Sequence, residues 1–110
     1  MKFYQVAHLY VGCKLEWGYI YIDFTANKLY DIDLFGLKPA LFPLSAMTEE
    51  QKKEHKKLLE LLFIAEEETV RGETPESFKY LLDNHFDLYN LIEQGEAIDV
   101  TTLEVNPYKS

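Results

Sequence analysis

Cysteine is the scarcest informative residue in this chain of 110: Cys13 stands alone, so no internal disulfide can close and no cysteine-rich metal knuckle can form. A reducing compartment fits such a chain. Glycine is sparse as well, five in all, and none gathers into the loop that cradles phosphates. Basic residues are outnumbered, 11 Lys and Arg against 19 Asp and Glu, for a formal net charge of −8. That field repels nucleic-acid backbones and anionic lipid, so no nucleic-acid or membrane partner is expected. No run approaches the ~20 consecutive apolar residues of a membrane helix. The stretch before Cys13 is interrupted by Gln5 and His8, unlike the apolar core of a signal segment. The expectation is a soluble cytoplasmic protein.

Apolar residues are plentiful. At 47% they suffice for one core, and the length suits a single domain over residues 1–110. Aromatic and β-branched residues crowd into the first 45 or so positions, whereas Leu, Glu and Lys dominate the rest. Strands first and helices later argue for an α+β fold, an N-terminal antiparallel sheet packed against two or three C-terminal helices. A strand is expected over residues 3–11, with a turn at Gly12. A hairpin is expected over about residues 14–35. A three-residue loop of Ala26, Asn27 and Lys28 would set Ile20, Ile22 and Phe24 beside Tyr30, Ile32 and Leu34, with Tyr19, Tyr21, Asp23, Asp31 and Asp33 on the other face. Pro39 and Pro43 then keep the chain extended.

Two helices follow. Thr48 with Gln51 forms a capping box, and Glu49 and Glu50 suit the positive end of a helix dipole, which predicts a helix over about 49–71 stopped by Gly72. Thr74-Pro75 opens a second helix over about 75–94, stopped by Gly95. Within it Phe78, Leu81, Leu82, His85, Leu88, Tyr89 and Ile92 form one apolar stripe. Asp83-Asn84 is the point where it would divide in two. Residues 97–103 read as a short C-terminal strand.

No catalytic or metal-binding constellation stands out, and no cofactor is expected. His85 interrupts an apolar stripe with a titratable ring, although a buried histidine more often serves a backbone carbonyl than a reaction. Cys13 has no histidine at an informative spacing, and Ser45 lies in no nucleophile elbow. Asp23, Asp31 and Asp33 would crowd on one face of the hairpin; a divalent ion could relieve them, but a solvated face is the ordinary reading. Trp17, Tyr19, Tyr21 and Tyr108 either fill a thin core or line a recognition surface, the first three together with these aspartates.

Two segments resemble a group of small uncharacterised proteins of Bacteroidetes bacteria and their phages or prophages. One is Leu41-Phe42-Pro43-Leu44-Ser45-Ala46-Met47-Thr48. The other, more specific, is His85-Phe86-Asp87 followed by Leu91-Ile92, Gly95, Ala97-Ile98-Asp99 and Thr102-Leu103. Phe42 stands where arginine is common in that group and Glu96 where leucine is common. The resemblance implies a phage or mobile-element setting and transfers no catalytic residue. It marks His85, Asp87, Gly95 and Asp99 as a motif, structural or functional, that would hold the second helix against the sheet.

The leading functional expectation is a non-enzymatic accessory protein acting through contact with a protein partner, with homo-oligomerisation open. The alternatives are a small-ligand binder or enzyme using His85 with an aspartate, and a minor virion component.

Overall fold

The first hairpin sets the architecture. β1 (Lys14–Trp17) and β2 (Ile20–Asp23) pair antiparallel, with Lys14 opposite Asp23, Leu15 opposite Ile22, Glu16 opposite Tyr21 and Trp17 opposite Ile20. Opposed residues share a face, so Leu15, Ile22, Trp17 and Ile20 point one way and Lys14, Asp23, Glu16 and Tyr21 the other. The chain is seen in a computed structural model that describes residues 1–27, 37–60 and 73–109.

The turn of this hairpin lies at Gly18-Tyr19, within the stretch expected as its first strand, and Lys28 of the expected Ala26, Asn27 and Lys28 loop lies outside the described residues. Gly18 has φ +59°, the left-handed value that two-residue hairpin turns require at a central position. The expected second strand, with Tyr30, Asp31, Ile32, Asp33 and Leu34, lies outside the described residues.

Residues 3–10 of the expected 3–11 strand are helical rather than extended. α1 (Phe3–Val6) runs into a 3-10 turn over Ala7–Tyr10. Phe3, Val6, Ala7 and Tyr10 are the buried positions, and that spacing of three, four and seven is one face of a helix. The alternation read there as strand was a helical stripe.

β3 (Lys38–Leu41) pairs antiparallel with β1, and β4 (Ile98–Asp99) runs parallel beside β3, giving the order β2-β1-β3-β4. The expected antiparallel sheet is therefore mixed, and the fold is α+β. The return strand is only the two residues of β4, because Val100–Thr102 coils into a 3-10 turn capped by Asp99, whose side chain accepts from Thr101 N–H.

α2 (Glu49–Glu60) begins as the sequence implies: Gln51 N–H donates to Thr48 Oγ1, and Thr48 N–H donates back to Gln51 Oε1. Its expected continuation to residue 71, and Gly72, fall outside the described residues. α3 (Pro75–Asp83) has Thr74 as its cap and proline at the first position.

α3 ends at Asp83, at the Asp83-Asn84 point where the sequence allows a division and eleven residues short of 94. The amide of His85 bonds Leu82 O and that of Phe86 bonds Leu81 O, with His85 at φ +65°. This is a Schellman closure with histidine where glycine is usual. Below it Phe42 bridges Phe86, its amide reaching His85 O while Asp87 N–H returns to Phe42 O.

The main core gathers Phe3, Tyr10, Cys13, Leu15, Phe24, Leu41 and Leu91 between α1 and the sheet, and a second cluster packs Leu81, Phe86 and Leu88 under α3. Among the described residues no buried side-chain polar atom lacks a hydrogen bond.

Candidate functional site

The structure brings together three side chains that lie far apart in the sequence. Cys13 leaves the turn at Gly12, which has φ +104°, and its amide and carbonyl join Tyr10 and Phe24. The left-handed backbone of His85 swings its ring back over the sheet. There Cys13 Sγ meets His85 Nδ1 at 3.2 Å. The Tyr108 ring stacks on the imidazole, centroids 4.0 Å apart and planes 12° from parallel.

Tyr108 is also built into the sheet. Its hydroxyl donates to Ala40 O at 2.6 Å and accepts from Lys14 N–H at 2.9 Å. β1 and β3 pair through Leu15 with Pro39 and Glu16 with Lys38; one step further along, the tyrosine hydroxyl stands between the two strands and serves both.

Burial decides the charge state. Cys13 is 1% exposed, and desolvation pushes its thiol up to about 11, against a smaller opposing effect of the Tyr108 hydroxyl. Desolvation also lowers His85, with Asp83 pulling the other way. Near neutrality both groups are therefore uncharged. One hydrogen bond then joins Sγ and Nδ1, and its donor follows the imidazole tautomer. In this state the sulfur is a shielded thiol and not a nucleophile.

The remaining motif residues make local contacts. The Asp87 carboxylate accepts from the amides of Tyr89, Leu91 and Ile92 at 3.3, 2.9 and 3.0 Å, so it closes the turn after α3 and does not reach toward the imidazole. Gly95 has φ +76° at the next reversal. Asp99 Oδ1 accepts from both the amide and hydroxyl of Thr101. Glu96 accepts from Phe3 N–H at 2.9 Å, a bond that holds its carboxyl below the usual range.

The hairpin residues are divided. Trp17 lies on the core-side face yet is 50% exposed, Tyr19 at the turn is fully exposed, and Ile20 is 60% exposed. Tyr21 and Asp23 sit on the opposite face, where Asp23 pairs with Lys14 across the ladder. Asp31 and Asp33 lie outside the described residues. No group of three or more potential metal ligands gathers among the described residues, and no described helix is long and apolar enough to cross a membrane.

Sequence reasoning missed the Cys13–His85 contact, which spans 72 positions. The one local hint was a histidine interrupting an apolar stripe. It also missed the bridge between α2 and α3: His55 Nε2 meets Glu73 Oε2 at 2.6 Å, and Ser77 donates to the same oxygen. Two open grooves lie nearby, one of about 410 Å³ lined by Leu44, Glu73, Phe78, Leu88 and Asn90, the other of about 210 Å³ along Pro43, Leu44, Asp87 and Asn90. Neither is lined by Cys13 or His85. Comparison with family models, curated proteins and solved structures finds no match for the chain.

Proposed function

We propose that this chain is a non-enzymatic accessory protein that binds a protein partner through the tip of its first hairpin. The observation that carries the reading is the exposure of three contiguous large side chains, Trp17 at 50%, Tyr19 at 106% and Ile20 at 60%. Aromatic residues on a rigid turn supply large contact area at little cost in conformational entropy, and they are the residue types that anchor interfaces. A net charge of −8 favours encounter with a basic surface on the partner. The resemblance of the 41–48 and 85–103 segments supports a bacterial cytoplasm carrying a phage or mobile element as the setting.

The test compares the parent chain with a Trp17→Ala, Tyr19→Ala double variant in quantitative capture from lysate of a Bacteroidetes host. Both should show the same thermal transition, and the variant should lose the proteins the parent enriches at least tenfold. Equal recovery by both chains, or a parent that stays monomeric and enriches nothing, sinks the proposal.

A further inference from the structure

The segment 103–109 has no regular structure, and Val105 within it is 74% exposed. Its own bonds are local: Tyr108 N–H to Asn106 Oδ1, and Lys109 N–H to Asn106 O. Tyr108 anchors it to the body through the hydroxyl bridge to Lys14 and Ala40, the stack on His85 and a ring contact with Phe42 at 6.0 Å. That side chain stacks on the imidazole of the Cys13–His85 pair.

We propose that residues 103–109 form a strap, and that its Tyr108 anchor masks a latent thiol–imidazole nucleophile, Cys13 with His85, which reacts with small disulfides when the strap lifts. Two independent features point the same way. The first is the pairing itself, since a sulfur and a ring nitrogen at 3.2 Å are already within proton-transfer reach. The second is the backbone of His85. A non-glycine residue at φ +65° is strained, and such strain collects where a side chain's aim matters; here it aims the ring at the thiol. This inference does not depend on the hairpin tip.

Lifting the strap lets water reach the pair, and hydration favours the separated charges that burial now suppresses. The step is thiol–disulfide exchange. The Cys13 proton passes to His85 Nδ1, the sulfur attacks one sulfur of the disulfide, a new S–S bond forms, the old one breaks, and the other half leaves as a thiolate that takes up a proton from the imidazolium or from water.

The experiment follows thiopyridone release from dithiodipyridine by the full-length chain at neutral pH over a series of low urea concentrations. Exposure by a local lift predicts a rate that rises with urea much more shallowly than global unfolding does, because little surface is uncovered. A slope equal to that of global unfolding overturns the strap. Tyr108→Ala should speed release at least tenfold with unchanged far-ultraviolet circular dichroism, and Tyr108→Phe less. Adding His85→Asn, which keeps a residue tolerant of the left-handed backbone, should remove most of the gain. A double variant as fast as Tyr108→Ala alone overturns the pairing. Should Tyr108→Ala fail to fold, the urea slope of the parent chain decides about the strap, and the parent against His85→Asn decides about the pair.

Discussion

The two ends of one hairpin have opposite fates. At its base Leu15 is 0% exposed, Phe24 1% and Cys13 1%. At its tip, on the same face and two residues further along, Trp17 and Ile20 are half or more in water. The alternation of side chains is unbroken from one end to the other. Period decides which face a residue occupies, but how far the opposing layer extends decides whether that face is covered. Here the buried cluster takes in Leu15 and Phe24 but neither Trp17 nor Ile20, so the apolar face continues past it.

The sharpest way to break the comparison is to truncate one side chain at each end. Leu15→Ala should cost about 2–5 kcal/mol, the range for a leucine removed from a site that cannot collapse, because the leucine packs against Phe24, Leu41 and the α1 residues. Ile20→Ala, on the same face, should cost under about 1 kcal/mol, since most of that side chain is hydrated before unfolding. Urea denaturation of both variants checks this. Equal losses would mean that the tip is covered in solution, and would remove the surface on which the proposed function rests.

The base can next be stressed by pH without touching the tip. The Cys13 thiol is raised from 9.0 to about 11 in the folded chain, so above pH 9 the unfolded chain gives up a proton that the folded one keeps. Stability is therefore fully present below pH 9 and falls as pH climbs toward 11. Two units correspond to about 3 kcal/mol in the limit. Tyr10 and Tyr108, both raised by burial, act in the same direction at still higher pH. Cys13→Ala should flatten the first part of this decline. An unchanged slope between pH 9 and 11 would show that the thiol is not desolvated.

What was legible in the sequence follows the range of the interactions. The caps at Thr48 and Thr74 are bonds between residues three apart, so their pattern is written locally. The α+β order follows from composition. The turn at Gly18 is equally local, but the aromatic and β-branched run from Trp17 to Phe24 fits a single strand as well. The α1 stripe was misread because short apolar runs fit either period. Cys13, His85 and Tyr108 could not be paired from the sequence at all: no periodicity links an N-terminal turn, a helix end and a closing segment. The Schellman closure was hidden for another reason, since histidine occupies the place where the sequence signal is a glycine.

That substitution supplies the smallest effect and the finest test. A left-handed non-glycine residue costs about 1–3 kcal/mol, and at φ +65° His85 carries it. Its ring gives some of this back through the Tyr108 stack and the bond with Cys13. His85→Ala should keep the strain and lose the ring, making it the least stable form. His85→Gly loses the same contacts but relaxes the backbone, so it should exceed the alanine variant by about 1 kcal/mol. The parent's position relative to both, read from urea midpoints at neutral pH, weighs ring contacts against strain directly. If alanine and glycine prove equal, the backbone at residue 85 is unstrained, and the aim of the imidazole at Cys13 is an accident of the helix end. If glycine exceeds the parent as well, the chain gives up stability to hold that ring over the thiol, which is the signature of a side chain kept for its chemistry.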